Sequence, residues 1–556
     1  MFKILSFLVF SFAFLYANIE QREFKNEQDR LNKSQSNIPS SNINLQSLNQ
    51  DSDISLVLNE NPCFEIDEII LNSQVKINLD KVLKKLKFKS GVCLGEQSIN
   101  AIIKAVNNEI IGAGYITSSV IPQNLNLKSR KIVLDLNLGK IDKITINNED
   151  TKRNRASLFS AFGEIDHQKA LNIRDVETAL ENIQNATFGN TQISLSPSAK
   201  PNSSDILITR QQRKVPITAY FGLDNFGSKP TGKYQGSFGL SALNLLGFNE
   251  IYTLNYGGAV FKKEKTKLND ESKNGGSNNF YANFKVPFGA LAIDYTHSHY
   301  SYHQVVAGAY NLYKYSGTSD SDRLNFSYLI YRDDKTKLTP FFAFFHRKSK
   351  NYIEDFELTN QRRKTSSYEV GTKLERYFLN SSLNAKLTYK RGTGMLDAIS
   401  APEQNLGEGT SRMKIWLVDV NFKTNYENFS YDMNFYAQYN KTPLTLQDRI
   451  SIGGIYSVRG FDGQMSLSGQ KGFYLRNTLA YRYYGLNEIY TALDLGAVYS
   501  VASEFKSDNK LIGTGVGIRG KVGSFSYDLL AFKPLKKPEF FTTKSKAINF
   551  TLSYQI

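Results

Sequence analysis

The chain has 556 residues, which exceeds the length of an ordinary single domain and predicts two to four folding units. It contains 37 Phe and 32 Tyr, and aromatic residues make up 13% of the chain, a composition that favours strands over helices. The formal net charge is +16, but Lys and Arg are scattered through hydrophilic stretches, which argues against a nucleic-acid-binding protein.

Residues 1–17 have the form of a secretory signal peptide. Lys3 supplies the positive start, Ile4 to Tyr16 form an apolar run, and Ala17 is a small residue at the cleavage point. The run is too short to span a bilayer as a helix, and a signal anchor is the alternative. No later window holds about 18 uncharged apolar residues, so we expect an exported chain without helical spans.

The next two segments are polar. Residues 18–33 predict a helix with only three large apolar side chains, Ile19, Phe24 and Leu31, so it would not pack firmly on a core. Such a helix could lie free or line a wet cavity. Residues 34–61 are rich in Ser, Asn, Gln and Asp and predict a flexible linker.

Cys63 and Cys93 are the only cysteines of the chain. In an exported protein an even pair predicts a disulfide, and two free thiols are the alternative. Closing a loop of this size would stabilise the folded state by about 3–4 kcal/mol.

Two small α+β units follow in tandem, unit 1 over residues 62–139 and unit 2 over residues 140–211. Each shows the order strand, helix, helix, strand, strand, which is the strongest internal repeat of the chain. The elements predicted for unit 1 are a strand from Phe64 to Leu71, helices over 82–88 and 99–111, and strands over 115–121 and 132–138. Those predicted for unit 2 are a strand over 141–146, helices over 156–162 and 176–183, and strands over 192–196 and 205–209.

Residues 214–556 alternate between apolar and polar side chains. In the segment 429–439, Phe429 and Tyr431 share one face while Asp432 and Asn434 share the other, which is typical of a wall between lipid and a water-filled lumen. About sixteen such strands are predicted, with short turns alternating with long loops, one of the long loops near Ala309. The predicted fold is therefore a pair of α+β units followed by a 16-stranded antiparallel transmembrane β-barrel.

A glycine-rich stretch, GGIYSVRGFDG, follows the eleventh predicted strand. An isolated Arg-Gly word could be an ordinary surface loop, but an arginine removed from bulk water needs an acidic partner. Two strands further on, Asp494 alternates with Leu493 and Leu495 and should face the lumen. We expect Arg459 to reach Asp494 across the interior and to hold the loop tip inside the barrel.

The sequence contains no GxSxG, HExxH or P-loop motif, and neither an enzyme activity nor a cofactor is expected. His297 and His299 share one face of the fifth strand, a spacing that would suit a metal ion. No Asp, Glu or Cys stands at suitable spacing in the sequence, so a pair at the membrane interface is the favoured interpretation and no metal site is predicted.

Several short motifs of the sequence resemble those of a known family. CFEIDEI, GVCLGEQSI and GYITSSVIPQ resemble the POTRA domains of two-partner secretion transporters. RISIGGIYSVRGFDGQMSLSGQKGFYLRN resembles the loop-and-strand signature of TpsB proteins (FhaC/ShlB/HecB), with Phe473 at a position where Trp is frequent. YTALDLG is similar to the family's FxDxG motif, with Tyr490 for the leading Phe, and DNFGSKPTGKYQ and KPLKKPEFF are similar to its first-strand and last-loop patterns.

The resemblance implies a transporter in the outer membrane of a Gram-negative bacterium, with both units in the periplasm. It would recognise a large TpsA-type exoprotein and pass it unfolded through the barrel. The resemblance also implies that residues 18–33 form a plug-like helix in the pore. The loop motif would comprise Val458, Arg459, Gly460 and Phe461, and the wall residues that anchor it would be Asp494 and Gly496.

Its other partners would be outer-membrane lipid and, during biogenesis, the barrel assembly machinery; the protein would be a monomer that binds no nucleic acid. An alternative function is that of an outer-membrane assembly factor of the BamA/TamA type, which shares the loop motif. A passive porin and a membrane-embedded enzyme are alternatives from other classes.

Overall fold

The computed structural model describes most of the chain beyond residue 60 and short parts before it. The described residues are 23, 25, 27, 28, 30, 31, 42–45, 54–57, 60–123, 129–164, 169–261, 265–268, 271–500 and 509–556. The signal peptide predicted over 1–17 and most of the linker predicted over 34–61 lie outside the described residues. Within the described ranges, no helix is long and apolar enough to cross a membrane.

Unit 1 contains a three-stranded sheet, a two-stranded sheet and two helices. Its elements are β1 (Phe64–Ile66), β2 (Glu68–Asn72), α1 (Leu79–Lys85), β3 (Val92–Leu94), α2 (Glu96–Gly112), β4 (Ser119–Pro122) and β5 (Lys131–Asn137). β2 pairs in parallel with β5, which pairs antiparallel with β4. Because residues three or four apart share a helix face, α2 buries Ile102, Val106 and Ile110 in the core of the unit.

The single strand predicted from Phe64 to Leu71 is wrong, because the chain breaks it at Asp67. The backbone N–H of Asp67 donates to the carbonyl of Arg130 (2.7 Å), so the segment on either side pairs with a different strand. β1 pairs with β3, a strand that the sequence did not predict because three residues are too few to show alternation. β4 begins at Ser119, later than the strand predicted over 115–121, because a turn precedes it.

The disulfide between Cys63 and Cys93 is present, as predicted, with its Cα atoms 5.4 Å apart. Cys93 lies opposite Glu65 in the β1–β3 pair, so the bond holds β1 against β3 next to their backbone hydrogen bonds. It closes a loop that contains α1.

Unit 2 repeats the three-stranded sheet and the two helices of unit 1. Its elements are β6 (Lys140–Ile146), α3 (Lys152–Phe162), α4 (Ile173–Asn185), β7 (Thr191–Pro197) and β8 (Ser203–Arg210). β6 pairs in parallel with β8, which pairs antiparallel with β7, so the sheet order is β6-β8-β7. The predicted repeat therefore extends from element order to sheet topology.

The remaining chain forms a closed antiparallel barrel of sixteen long strands, as predicted. These are β9 (Ile217–Asp224), β10 (Gln235–Leu243), β11 (Ile251–Ala259), β12 (Gly276–Phe288), β13 (Leu291–Ala307), β14 (Leu312–Tyr328), β15 (Thr336–Ile353), β16 (Arg363–Tyr377), β17 (Ser381–Thr393), β18 (Lys414–Tyr426), β19 (Phe429–Asn440), β20 (Lys471–Tyr484), β21 (Asn487–Tyr499), β22 (Lys510–Val522), β23 (Phe525–Lys536) and β24 (Ala547–Gln555). The last strand pairs with the first, from Thr551 opposite Asp224 to Gln555 opposite Tyr220.

The two faces of the wall differ as the alternation predicts. In β19, Asp432, Asn434 and Tyr436 line the central cavity. On the opposite face Phe429 and Tyr439 are exposed on the outside of the barrel. In a closed sheet the backbone N–H and C=O groups of every strand are paired. The barrel can therefore lie in lipid with an apolar outer face and a polar interior.

The short turns lie at the end of the barrel that meets unit 2. Ser157 of α3 donates to Asn249 (2.7 Å), and Asn182 of α4 donates to the carbonyl of Gly289 (2.9 Å). The long loop predicted near Ala309 is wrong: β13 and β14 continue to 17 residues each and leave only 308–311 between them. This hairpin extends outward as strand rather than as loop.

Candidate functional site in the barrel lumen

The connection between β19 and β20, residues 441–470, folds back into the barrel. Two short strands, Ile450–Ile452 and Leu467–Gly469, pair at its base. Between them Val458 and Phe461 are 0% and 1% exposed and belong to an apolar cluster shared with the barrel wall. The loop therefore has a core of its own, which gives its tip a defined position.

Arg459 at the loop tip contacts Asp494 of β21 through two parallel hydrogen bonds, Nε to Oδ2 and Nη2 to Oδ1, both 2.7 Å. The backbone N–H of Arg459 also donates to the same carboxylate (2.8 Å). The remaining donors reach the Thr478 hydroxyl and the Asn477 carbonyl of β20, each at 2.9 Å. Asp494 is fully buried, and such a pair is tolerated because its hydrogen-bonding groups are satisfied.

Glycines of the wall let the loop backbone approach closely. A Cβ atom on Gly496 would lie 2.9 Å from Cγ2 of Val458, and one on Gly513 of β22 would lie 2.0 Å from the carbonyl oxygen of Arg459. Gly460 has a φ of +116°, a conformation that side chains disfavour. The loop motif and its wall residues, predicted from separate parts of the sequence, thus meet in one site.

Two members of this site, Gly513 and Thr478, were missed by the sequence analysis. The run GTGVG in β22 places glycines on one face of a strand, which is a usable signal for close backbone approach. Thr478 carries no such signal, because a lumen-facing threonine is ordinary in a barrel strand.

The N-terminal helix also lies inside the barrel. The residues of it that the structure describes are Glu23, Lys25, Glu27, Gln28, Arg30 and Leu31. Three contacts tie it to the wall: Tyr300 Oη donates to Glu23 (2.8 Å), Ser319 Oγ donates to Glu27 (3.0 Å) and Arg30 Nη1 donates to Asn279 (3.1 Å). A helix without an apolar face suits a polar lumen, since charged side chains such as Glu23, Glu27 and Arg30 contact polar wall groups.

The helix and the loop border one cavity of about 970 Å³, which Lys25, Tyr436, Arg459 and Asp528 help to line. They also approach each other directly: a Cβ atom on Gly454 would lie 2.6 Å from Nζ of Lys25. Both elements therefore occupy the lumen together. The helix contacts the wall through hydrogen bonds, whereas the loop combines the Arg459–Asp494 pair with an apolar cluster.

A second cluster joins unit 2 to the barrel. Arg332, in the turn between β14 and β15, donates to Glu177 (3.0 Å) and to both oxygens of Glu181 (2.9 Å each) on α4. It also donates to the carbonyl of Ile43, whose N–H donates to Glu181 (2.7 Å). Residues 42–45 of the linker are thus held between α4 and the barrel. We call Arg332, Glu177, Glu181 and Ile43 the clasp.

Burial alone would raise the pKa of the Glu181 carboxyl. The hydrogen bond and charge of Arg332, together with the charge of Lys337, outweigh burial and lower this pKa below 4.5. The carboxylate is therefore ionised at neutral pH, as the clasp requires.

The two histidines have carboxylate partners that the sequence analysis did not find. His297 lies 2.9 Å from Asp322, and His299 lies 2.7 Å from Asp320, both on the neighbouring strand β14. The spacing of residues in the sequence does not reveal these carboxylates, because strand register brings together residues far apart in the chain. Within the described residues, no group of three or more His, Cys, Asp or Glu could hold a metal ion.

Family profiles match most of the chain. The haemolysin secretion/activation protein family ShlB/FhaC/HecB matches residues 202–520. The ShlB-type POTRA domain matches residues 64–139, and a second POTRA domain profile matches residues 140–197. The matched regions correspond to the barrel, unit 1 and unit 2.

Curated relatives are similar over most of their length. The outer membrane transporter CdiB-2 of Burkholderia pseudomallei (strain 1026b) is 27% identical over 522 residues, 89% of this chain and 87% of the relative. The hemolysin transporter protein ShlB of Serratia marcescens is 23% identical over 399 residues, 70% of this chain and 67% of the relative.

Two solved structures share the fold. CdiB from Escherichia coli has a TM-score of 0.82 at 23% identity and covers 97% of this chain and 98% of that chain. CdiB from Acinetobacter baumannii has a TM-score of 0.80 at 22% identity, with the same coverage.

Proposed function

The chain belongs to the haemolysin secretion/activation protein family ShlB/FhaC/HecB and lies in the outer membrane with units 1 and 2 in the periplasm. From this premise we propose that it recognises a large secreted exoprotein in the periplasm and carries it, unfolded, through the barrel to the cell surface. The observation that supports this proposal best is the lumen itself. A polar helix and a re-entrant loop occupy it, and neither is part of the wall.

Polar contacts of this kind can be exchanged for contacts to a passing chain. The N-terminal helix is joined to the wall by hydrogen bonds to Tyr300, Ser319 and Asn279, all of which an extended polypeptide could also make. The loop is held more firmly, by the buried pair of Arg459 and Asp494. We therefore assign the helix the role of the element that leaves and the loop the role of the element that guides.

Recognition is assigned to the open sheet edges of the two units. β7 is an edge strand of unit 2 and β4 is an edge strand of unit 1, and an extended client segment can add to such an edge as a further strand. The periplasm has no accessible ATP, so folding of the client outside would give transport its direction.

Site-specific photo-crosslinking tests recognition. A crosslinking residue at Ser194 of β7 or at Ile121 of β4, which is 53% exposed, should capture one large exported protein during secretion. A matched position on α1, such as Lys84, should capture none. Capture of many different barrel proteins would instead support an assembly factor of the BamA/TamA type.

Removal of both units tests transport. A chain that keeps the signal peptide, the N-terminal helix and the barrel but lacks residues 62–211 should insert into the membrane and fail to export its partner. Undiminished export by this variant would contradict the proposal.

A further inference from the structure

Three cations form a row on the outer surface of strands β17, β18 and β19. Arg391 lies opposite Lys414 in register, and the backbone N–H of Lys441, the first residue after β19, donates to the carbonyl of Lys414 (2.9 Å). The neighbouring Lys390 points into the lumen, where its Nζ lies 2.9 Å from Asp448. Because successive strand residues alternate between faces, Arg391, Lys414 and Lys441 point outward. We call these three residues the cationic row.

A row of aromatic residues lies directly beside the cationic row, one alternation step closer to the membrane centre. Tyr389, Trp416 and Tyr439 are opposite one another on the same three strands. The Tyr389 and Trp416 rings are 4.9 Å apart, and Trp416 and Tyr439 are 37% and 54% exposed. Trp and Tyr on the outer face of a barrel mark the level where acyl chains meet headgroups.

The cationic row lies at the extracellular headgroup level. Lys414 begins β18, whose other end enters the short turn at 427–428 on the periplasmic side. The cations are thus on the side of the aromatic residues that faces away from units 1 and 2. The headgroups available to them are those of the outer leaflet.

The cationic row is not neutralised by the protein. In the part of the chain that the structure describes, no carboxylate lies within salt-bridge distance of Arg391, Lys414 or Lys441, whereas the inward-facing Arg363 and Lys390 each have one. Like charges opposite each other on adjacent strands destabilise the sheet. An anion that bridges them would relieve this repulsion.

We propose that the cationic row binds the phosphate groups of a phosphorylated glycolipid of the outer leaflet, the lipid A part of lipopolysaccharide. The Arg391 guanidinium can donate two parallel hydrogen bonds to one phosphate, and the two ammonium groups add charge and donors. The acyl chains of the same molecule would lie along Tyr389, Trp416 and Tyr439. Free phosphate lacks this apolar part, and the outward orientation of the row favours a membrane-bound ligand.

The site has a structural consequence for the lumen. Lys441 is also the first residue of the loop 441–470 that carries Arg459. A glycolipid bound at Lys441 therefore holds the base of this loop against the membrane surface. The inference concerns lipid binding alone and stands whether or not the proposed transport function is correct.

Titration of the full-length protein in detergent with bisphosphorylated lipid A, monitored by native mass spectrometry, tests the proposal. The triple variant Arg391→Ala, Lys414→Ala, Lys441→Ala should bind about 100-fold more weakly, as expected for three cations at a membrane surface. A control variant removes the same charge from exposed residues of units 1 and 2: Lys84→Ala, Lys85→Ala, Lys143→Ala. It should bind lipid A like the unaltered protein.

Further arms separate charge from folding and lipid from phosphate. One variant conserves the charge, Arg391→Lys, Lys414→Arg, Lys441→Arg, and should still bind lipid A. Dephosphorylated lipid A should bind weakly to every variant. The single variant Lys441→Ala changes a residue beyond the end of β19, so it should fold even if the triple variant does not. It should bind lipid A more weakly than the unaltered protein. Equal binding by Lys441→Ala and the unaltered protein, or displacement of lipid A by equimolar inorganic phosphate, would overturn the proposal.

Discussion

Arg459 and Asp494 are both buried charged residues, and each is stable inside the barrel because it pairs with the other. Burying one charge alone is strongly unfavourable, whereas a bidentate pair with all donors satisfied is tolerated. The neighbouring glycines, Gly496 and Gly513, allow the loop backbone to come close enough for this geometry. At this scale the site depends on shape as much as on charge.

Removal of one partner should release the loop tip. Arg459→Ala or Asp494→Ala leaves the other charge buried without its partner, at a cost of about 3–5 kcal/mol to the docked loop. Each variant should insert normally, show faster proteolysis within 441–470 and impair export. The control Arg323→Ala removes the cation of another lumenal pair, with Glu369, and should leave the loop protected.

The double variant tests whether the two residues act together. Because both singles break the same contact, Arg459→Ala with Asp494→Ala should be less defective than the sum of the two single effects. Additive effects would mean that the two side chains stabilise the loop independently.

Gly513→Ala should displace the loop without any change of charge. The new Cβ would lie 2.0 Å from the Arg459 carbonyl, so either the loop or β22 must move. We expect loop proteolysis close to that of Arg459→Ala. Gly394→Ala is the control, since its Cβ would meet only the flexible end of Arg412 at 3.0 Å; equal protection in both variants would contradict the role of Gly513.

At the scale of elements, the clasp joins three parts of the chain that the sequence presents separately. It brings together α4 of unit 2, the β14–β15 turn and residues 42–45 of the linker. Residues 42–45 are therefore fixed to both unit 2 and the barrel by a few polar and ionic contacts.

Arg332→Ala should loosen unit 2 from the barrel. The expected loss of docking free energy is about 3 kcal/mol, the lower end of the range for a broken buried pair, because Lys337 and Arg174 still contact Glu181 and Glu177. Spin labels on unit 2 and on the barrel should show a broader distance distribution. The control Lys335→Ala alters the same turn at an exposed position and should leave the distribution unchanged.

The clasp should also respond to acid in a defined direction. The pKa of Glu181 is lowered in the folded protein, so its stabilisation is complete above the usual value of 4.5 and is lost as the pH falls through the folded-state pKa. Acidification below about pH 4.5 should therefore broaden the same distance distribution in the unaltered protein. Arg332→Ala should show a smaller pH effect, and an unchanged one would contradict this assignment.

At the scale of the whole molecule, the polarity of the inner barrel wall determines which segments of the chain can occupy the lumen. A wall with mainly polar inner side chains accepts a polar helix and a charged loop tip. Where the loop packs on the wall, apolar residues such as Val498 and Leu511 contact its apolar side chains.

Deletion of residues 18–33 should open the lumen. The helix that contacts Tyr300, Ser319 and Asn279 would be absent, so planar-bilayer conductance should rise while barrel insertion is unchanged. The variant Arg30→Ala, which loses the contacts to Asn279 and Ser277, should show more frequent openings of the same size. Identical conductance in the deletion variant and the unaltered protein would contradict a plug role for the helix.

The sequence by itself determined the tandem units, the sixteen strands and the lumen-facing position of Asp494, while the signal peptide over residues 1–17 stays a prediction. These follow from local periodicity: a strand alternates every second residue, so a single strand already reveals its two faces. The motifs shared with a known family identified that family. The sequence also identified Arg459 as a charge in need of a partner.

Only the tertiary structure decided which distant residues meet. The break at Asp67, the carboxylates beside His297 and His299, the approach of Gly513 to the loop and the clasp at Arg332 all depend on contacts between segments far apart in the chain. Strand register and domain docking are set by the sum of many weak contacts over the whole molecule, and no local pattern encodes that sum.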